Sequence, residues 1–357
     1  MTVLHNVRIL DLKSSASAGE LVDIEFSDTI TAIRPSAEPD PSSAATVLPG
    51  LIDTHVHLKS RNALLAAVRS GLTTVIDLGT HPDSVVDGYR ADAEVPAILS
   101  AGSAASAPGS TQIAVMGFPS ESGVTGPEDA ERFLDWRVAN GVDLIKIIIE
   151  DPDATETPAL DIPTLQAIVG GARKRGLLTV AHAVTAASFD RGLDAGVDVL
   201  THIPFDRPLS KATFSRIVES GTLVSPTLVM VRAITDARLG EHADAAMELA
   251  IGNVSALLDG GATVIAGTDA NETPFAPVPH GPSLHSELGY LVQAGMTGAE
   301  AIRAATSAAA DAFGLSDRGR IVEGARADLI VVDGDPLTEL SVLSSPAEVV
   351  VGGRRLV

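Results

Sequence analysis

Two histidines separated by a single residue, His55 and His57, have the clearest potential for chemistry. They follow the apolar segment Leu51–Thr54, which has the composition of a β-strand. Side chains at positions i and i+2 of a strand point to the same face. Two neutral imidazoles on one face suit a divalent ion such as Zn²⁺. The pair alone is also compatible with two polar residues at the end of a strand.

Lys146 interrupts an otherwise apolar run, residues 144–149. Burial of an unpaired ammonium group is costly, so this lysine must either be paired or lose its charge. One interpretation is an ion pair with a nearby carboxylate. The other is a neutral amine that takes up CO₂ as a carbamate, an anion that can bridge two metal ions.

Three further candidates, His182, His202 and Asp269, each stand at the end of an apolar run. Taken singly, such histidines are often packed in a core, and an aspartate after a strand often caps a helix. Core packing does not require the same placement on several strands. We therefore predict that these three residues converge with the two histidines of the His-x-His pair and with the buried lysine.

Four other residues follow predicted strands and could contact a substrate: His81, Arg232, His280 and His285. An arginine can bind a substrate carboxylate through two parallel hydrogen bonds. The alternatives are exposed loop histidines and a solvated arginine at the start of a helix.

Eight short apolar runs must position these residues. Apolar residues recur at helical spacing in several of the segments between these runs, most clearly at 127–140, 163–175 and 242–259. Apolar strands that alternate with helices indicate an α/β fold with a parallel sheet, and eight units over about 250 residues match a (β/α)₈ barrel of the TIM type. An open, doubly wound sheet is the alternative, but no Gly-x-Gly-x-x-Gly follows an early strand. The predicted strands are 51–54, 72–78, 97–100, 142–149, 178–181, 197–200, 223–228 and 262–266.

Both chain ends have a β-type pattern, at 3–10, 21–26 and 29–33 and again at 328–332 and 349–351. A Pro- and Ser-rich linker is predicted at 35–45. We therefore expect a small β-sandwich domain built from residues 1–48 and 318–357, with the barrel inserted as residues 49–317.

Composition excludes several classes of function. The chain has 357 residues and a formal net charge of −21, which repels phosphate backbones and anionic lipids. We expect a small-molecule substrate and no nucleic-acid or membrane partner. The composition leaves open whether the chain forms a homo-oligomer. The absence of cysteine excludes disulfides, thiol nucleophiles and thiolate metal sites. No leader pattern and no apolar run of about 18 residues is present, so we expect a cytoplasmic protein.

These motifs together resemble the amidohydrolase superfamily, in its binuclear, carboxylated-lysine subtype. The similarity covers nearly the whole chain and is closest to the imidazolonepropionase-like and Xaa-Pro dipeptidase-like amidohydrolases. The segments that carry it are Pro49–His57, Lys146, His182, His202, Gly267–Asp269, Ala294–Thr297, Ala304–Ser307 and Gly324–Val331.

The resemblance implies two divalent metal ions, zinc first, with manganese, cobalt, iron or nickel as alternatives. His55, His57 and Asp269 would bind the more buried ion, His182 and His202 would bind the second, and carboxylated Lys146 would bridge them. All six residues are therefore expected metal ligands. A water or hydroxide between the ions would be the nucleophile. Asp269 would accept its proton and deliver it to the leaving group.

The implied reaction is hydrolysis of an amide, cyclic amide or related carbon–nitrogen bond in a small molecule. The acidic segment 150–157 departs from the Ser/Gly-rich loop expected of dipeptidase-like members, so the substrate stays open. The alternatives are a mononuclear deaminase or an ester or lactone hydrolase on the same scaffold. A cyclase, dehydratase or decarboxylase, and a catalytically silent binding homologue, are further alternatives.

Overall fold

A computed structural model describes residues 2–12, 20–42, 44–154 and 156–357 of the chain. Ser43 of the predicted linker and Thr155 of the acidic segment lie outside these residues. The β-strands are β1 (Thr2–Ile9), β2 (Leu21–Phe26), β3 (Ile30–Pro35), β4 (Thr46–Pro49), β5 (Leu51–Val56), β6 (Leu72–Asp77), β7 (Ala97–Ser100), β8 (Ile145–Ile148), β9 (Thr179–His182), β10 (Val199–Thr201), β11 (Leu223–Ser225), β12 (Leu329–Val332), β13 (Glu348–Val351) and β14 (Arg354–Arg355).

Helices alternate with the central strands. The α-helices are α1 (Arg61–Arg69), α2 (Asp83–Arg90), α3 (Thr111–Ala114), α4 (Ala130–Ala139), α5 (Ile162–Lys174), α6 (Ala186–Ala195), α7 (Lys211–Ser220), α8 (Leu228–Arg238), α9 (Ala243–Asp259), α10 (Pro282–Gln293), α11 (Gly298–Ala304) and α12 (Ser307–Ala312). Short 3₁₀ helices lie at Ser120–Ser122, Pro127–Asp129, Gly240–His242 and Leu340–Ser344. No helix in the described ranges is both long enough and apolar enough to cross a lipid bilayer.

The central strands close into a barrel. β5, β6 and β7 form one parallel sheet, and β8 to β11 form another. Three parallel bridges join these sheets into a ring, Ala105 with Ile147, Val224 with Val264 and Val56 with Ala270. The segment 262–270 therefore occupies the eighth strand position. The predicted (β/α)₈ barrel is confirmed, and each of the eight apolar runs lies in its wall.

Burial explains why these strands carry apolar runs. Side chains of alternate residues fill the barrel interior, and the others pack beneath the surrounding helices. The predicted helices at 127–140, 163–175 and 242–259 are observed, as a 3₁₀ turn with α4, as α5 and as α9. In α5 the side chain of Asp161 accepts a hydrogen bond from the amide of Thr164 and fixes the first turn.

The chain ends meet in one seven-stranded sheet, in the order β14-β13-β12-β4-β1-β2-β3. The start of the edge strand β3 also contacts the segment that leads into β12, because the amide of Ile30 donates to the carbonyl of Ala325, and the amide of Ala327 donates to that of Asp28. The α/β fold class with a β domain built from both ends is confirmed, and the strands of this domain belong to a single sheet. The exact domain boundaries stay a prediction.

Successive side chains along a strand of this sheet pack in two different hydrophobic cores. Leu329 and Val331 of β12 pack in the core of the β domain, while Ile330 and Val332 pack in the core shared with the barrel. This period of two is the pattern expected of a sheet that is covered on both faces. The β domain is thereby fixed to the barrel at β4, β12 and β13.

Candidate metal centre

Three predicted ligands meet where β5 and the segment 262–270 run side by side. The Oδ1 atom of Asp269 lies 3.2 Å from Nε2 of His55 and 2.9 Å from Nε2 of His57. Backbone hydrogen bonds fix this approach, from the amide of Asp269 to the carbonyl of His55 and from His57 to Ala270, both 2.8 Å. The predicted convergence of the His-x-His pair with Asp269 is therefore observed at the carboxyl end of the barrel.

Two more imidazoles complete a continuous group of rings. His182 ends β9, and His202 directly follows β10. The ring of His202 lies 5.0 Å from that of His55 and 4.6 Å from that of His182, between centroids. Ligand atoms of His55, His202 and Asp269 all lie within 4.8 Å of one another, a spacing that suits a metal ion.

Lys146 lies on β8 among these groups, buried to 2% exposure, and its Nζ has no hydrogen-bond partner in the described residues. No ion pair to it is formed there either. Burial lowers the pKa of Lys146 to about 7, although the carboxylates of Asp269 and Asp77 act in the opposite direction. The lowered pKa favours the free amine, in agreement with the second interpretation of the burial of Lys146.

Burial also favours the neutral form of three histidines of the centre, His55, His182 and His202. Burial lowers the pKa of His182 to about 3, and the positive charge of Lys146 adds to this effect. Burial also lowers the pKa of His55 and of His202, and Lys146 contributes in both cases. Neutral imidazoles keep a ring lone pair free, which is the form that ligates metals.

Hydroxyl groups orient two of the rings. The Nδ1 atom of His55 lies 2.6 Å from Oγ1 of Thr201, and Nδ1 of His202 lies 2.8 Å from Oγ1 of Thr227. When these ring N–H groups donate to the hydroxyl oxygens, each Nε2 presents its lone pair to the centre. Such outer partners fix the tautomer and orientation of metal-binding histidines.

The carboxyl group of Asp53, fully buried on β5, links that strand to the loop that carries Asp269. It accepts hydrogen bonds from the amide and hydroxyl of Thr268, at 3.0 and 2.6 Å, and from the amide of His55 at 3.1 Å. Burial raises the pKa of Asp53 to about 7, and these hydrogen bonds oppose the rise.

The carboxyl group of Glu287 on α10 supports the centre from the other side. It accepts hydrogen bonds from the amides of Leu228 and Val229, at 3.0 and 2.9 Å, which open α8. These contacts hold the start of α8 next to Thr227, whose hydroxyl contacts His202. Burial raises the pKa of Glu287 to about 8.

Strained backbone conformations are concentrated at the candidate metal centre. Four described residues other than glycine have a left-handed φ, and three belong to this centre: His202 at 74°, Asp269 at 58° and Thr227 at 49°. Such conformations are disfavoured for residues with a Cβ and persist where surrounding contacts enforce them. The strained positions lie at the carboxyl ends of β10, the eighth strand and β11, where the residues of the centre are carried.

The four predicted substrate contacts are placed differently. Nε2 of His280 is 3.1 Å from the carbonyl oxygen of His57, which puts this buried ring beside the centre. His81 follows β6 and packs edge-on against Phe118, with 5.0 Å between ring centroids.

The other two are engaged elsewhere. Arg232 forms ion pairs with Asp236 and Asp244, so its guanidinium is already occupied on α8 and α9. His285 places Nε2 2.9 Å from the carbonyl oxygen of Ser70, at the end of α1, where β6 begins. The structure does not bring these two side chains to the centre.

Four residues that support the centre are not predicted from the sequence: Asp53, Thr201, Thr227 and Glu287. For two of these residues, the sequence pattern does indicate an unusual position. Asp53 is a carboxylate within an apolar strand, and Glu287 shares a helical face with Leu284, Leu288 and Leu291, all buried. No sequence pattern marks the two threonines, since a hydroxyl group beside the end of a strand is common.

A family model described as the amidohydrolase family matches residues 46–356. The chain belongs to this family. Ochratoxinase of Aspergillus niger is 25% identical to this amidohydrolase over 243 residues, which is 63% of this chain and 48% of that protein. Imidazolonepropionase of Deinococcus radiodurans is 38% identical over 105 residues, 28% of this chain and 25% of that protein. The matches thus span about half, or less, of the length of these curated relatives.

Solved structures share the fold of this amidohydrolase. A crystal structure of a Xaa-Pro dipeptidase with methionine bound in its active site has a TM-score of 0.84 at 23% identity, over 99% of this chain and 98% of that one. The crystal structure of A. niger ochratoxinase has a TM-score of 0.76 at 20% identity, over 95% and 92%. These likenesses establish a common architecture for the barrel and the β domain.

Proposed function

We propose that this amidohydrolase is a binuclear, metal-dependent hydrolase of an amide, cyclic amide or related carbon–nitrogen bond in a small molecule. The observation that carries the proposal is the Nζ atom of Lys146, buried with no hydrogen-bond partner in the part of the chain that the structure describes and next to the imidazoles and Asp269. A free amine in this position can add to CO₂ with loss of one proton. The resulting carbamate supplies the second anionic ligand that the group of imidazoles otherwise lacks.

The chemistry of the donors fits metal ions. His55, His57 and Asp269 would hold one divalent ion, His182 and His202 the other, and carboxylated Lys146 both. Zinc is our first choice, while manganese, cobalt, iron and nickel also accept imidazole and carboxylate ligands. Bound metal supplies Lewis acidity and lowers the pKa of water from about 15.7 to about 7.

Asp269 is the proposed proton carrier. Its Oδ1 faces Nε2 of His55 and of His57, so its other oxygen is available to the attacking water. It would accept a proton from that water and deliver it to the leaving nitrogen, as a general base and then a general acid. The hydrogen bonds of Asp53 to Thr268 would hold the preceding residue, and with it the carboxylate, in place.

The structural relative described as a Xaa-Pro dipeptidase supports this bond type, since a peptide bond is an amide. The net charge of −21 supports a small substrate rather than nucleic acid or an anionic membrane.

The test is a screen of small amides, N-acyl amino acids and dipeptides, followed by mass spectrometry, because hydrolysis adds one water to the substrate. With any substrate so found, we predict that Asp269→Asn lowers kcat by about 10²–10⁴-fold, the usual range for general acid–base catalysis. Metal content is measured on the same samples, and Asp259→Asn, an exposed carboxylate at the end of α9, serves as the control. No product from metal-loaded protein, or unchanged turnover in Asp269→Asn, would contradict the proposal.

A further inference from the structure

His57 lacks the hydroxyl contact that orients His55 and His202. Oγ1 atoms of threonines lie against Nδ1 of those two rings, but the described residues offer no hydrogen-bond partner to Nδ1 of His57. Strand pairing fixes the backbone of His57, through the hydrogen bond from its amide to the carbonyl of Ala270, but it does not fix the rotation of the ring. Another feature of the fold must hold Nε2 towards Asp269.

The backbone of Gly79 supplies a surface for this ring. A Cβ atom on Gly79 would lie 2.7 Å from Cε1 and 2.8 Å from Nδ1 of His57, so the ring packs directly against the glycine. The space is also closed from another direction, because Cζ of Phe118 lies 3.5 Å from the same point. The φ of Gly79 is not in the left-handed region. Glycine is therefore required here by the space that the ring occupies rather than by backbone conformation.

A buried carboxyl group fixes the turn that carries Gly79. Asp77 ends β6 and is fully buried. Its carboxyl group accepts hydrogen bonds from the amide of Thr80 at 3.1 Å and from the hydroxyl of Thr80 at 2.5 Å, which close the turn at residues 77–80. A further hydrogen bond, from the hydroxyl of Ser100 at 2.5 Å, joins the same carboxyl group to the end of β7.

The turn is also attached to the residue that follows His57. The hydroxyl of Thr80 accepts a hydrogen bond from the amide of Leu58 at 2.7 Å, and its oxygen lies 3.1 Å from the carbonyl oxygen of Leu58. Thr80 and Leu58 are both buried, so a partner that is lost here is not readily replaced by water. Asp77 thus controls, through Thr80, both the surface beneath the ring and the backbone beside it.

We propose that the turn at residues 77–80 positions the metal ligand His57, with Asp77 and Thr80 as positioning residues and Gly79 as the surface on which the ring packs. None of these three would touch metal or substrate. Hydroxyl contacts orient two imidazoles of the centre, and a packing contact orients a third. This inference rests on the proposed function, because His57 acts through the ion that it would hold.

Gly79→Ala tests the packing contact. The added methyl group meets the ends of side chains rather than backbone, so the chain should fold and the ring of His57 should move. We expect zinc affinity, measured by competition with a chelator in the presence of bicarbonate, to fall about 10–100-fold. The Tm of the metal-free chain should stay close to that of the wild type. Gly88→Ala on α2 is the control, because a Cβ there has nothing within 4 Å.

A double-mutant cycle separates positioning from a general structural role. In the His57→Ala background, which keeps the other predicted ligands, Gly79→Ala should change zinc affinity by less than about twofold, because the ring that it displaces is gone. An equal loss in both backgrounds overturns the role of Gly79, since the methyl group would then act without His57.

Thr80 provides a matched pair of variants for the hydrogen bonds. Thr80→Val keeps the shape of the side chain but removes the hydroxyl group, and it should weaken zinc binding by about tenfold or more. Thr80→Ser keeps the hydroxyl group and should retain most of the wild-type affinity. Equal zinc affinity of the two variants overturns the role of the hydrogen bonds between Asp77, Thr80 and Leu58.

The outcomes separate this inference from the proposed function. A wild type that binds zinc, with an affinity that neither Gly79→Ala nor Thr80→Val changes, leaves the metal centre standing and overturns the positioning role of the turn. A wild type that binds no zinc after reconstitution with bicarbonate overturns the proposed function and this inference with it.

Discussion

Burial sets the charge of individual side chains at this centre. Burial lowers the pKa of Lys146, His55, His182 and His202, which favours neutral nitrogen donors at these four positions. Glu287 shows the converse effect, because burial raises its pKa from 4.5 to about 8. The same physical cause therefore yields free lone pairs on one set of residues and a retained proton on another.

Glu287 makes a pH-dependent contribution to stability. Between pH 4.5 and about 8 the folded chain holds a proton that the unfolded chain has released, so stability due to this residue falls as pH rises through that window. Glu287→Gln is neutral at every pH. We predict that the Tm of the wild type minus that of Glu287→Gln falls by several degrees from pH 5 to pH 8.

Thermal unfolding of both proteins in the same metal state measures this difference. Glu248→Gln, an exposed position on α9, should show a constant difference across the same range. A difference for Glu287→Gln that is flat, or that grows with pH, would show that the buried carboxyl group is ionised in the folded chain.

At the scale of elements, the centre depends on the close approach of β5 to the eighth strand. A Cβ atom on Gly267 would lie 2.4 Å from Oγ of Ser225, 2.7 Å from Oγ1 of Thr54 and 3.1 Å from Cβ of His55. Only glycine permits this spacing, so the glycine of the Gly-Thr-Asp sequence is required by packing rather than by backbone conformation.

We predict that Gly267→Ala displaces the segment that carries Asp269 and weakens metal binding at least tenfold, measured by competition with a chelator. Gly170→Ala is the control, because a Cβ there has nothing within 4 Å. Alanine within α5 should be neutral or stabilising by up to about 1 kcal/mol. Wild-type metal affinity in Gly267→Ala would show that the strand spacing is not what positions the ligands.

Sequence patterns predicted the elements better than the contacts between them. Eight apolar runs and the residues at their ends predicted the barrel and the placement of His55, His202 and Asp269, because strand periodicity is a local property. The support from Glu287 could not be predicted in the same way. Its carboxyl group meets the amides of Leu228 and Val229, 59 and 58 residues away, through the packing of two helices.

The four predicted substrate contacts illustrate the same limit. The position of His280 after a predicted strand correctly indicated that it lies beside the centre. The same reasoning could not reveal that Arg232 has two acidic partners, one on α8 and one on α9. Nor could it show that α10 carries His285 towards Ser70. Loop residues are directed by tertiary contacts, which a single sequence does not record.

The whole molecule joins a barrel to a β domain that shares a core with it. Tight packing closes the sheet of that domain, since a Cβ on Gly353 would lie 1.6 Å from the carbonyl oxygen of Ser27, and its φ is 80°. Gly324 has a similar φ of 87° but open space around it. Alanine substitutions at these two glycines therefore distinguish the free-energy cost of a steric clash from the free-energy cost of backbone strain.

We predict that Gly353→Ala lowers Tm more than Gly324→Ala, which carries only the backbone cost of about 1–2 kcal/mol. Both variants should retain the wild-type metal content per folded chain, because the β domain contributes no ligand. Thermal unfolding and elemental analysis of the folded fraction measure the two quantities. Loss of metal from folded Gly353→Ala would show that the β domain controls the centre.

The most direct test of the binuclear centre is elemental analysis of the purified protein by plasma mass spectrometry, with Lys146→Ala beside the wild type. The proposal predicts about two equivalents of divalent metal in the wild type, after reconstitution with zinc and bicarbonate, and a loss of about one in the variant. One equivalent in both proteins would contradict a bridging carbamate and favour a mononuclear site. No bound metal in the reconstituted wild type would contradict the metal-dependent function itself.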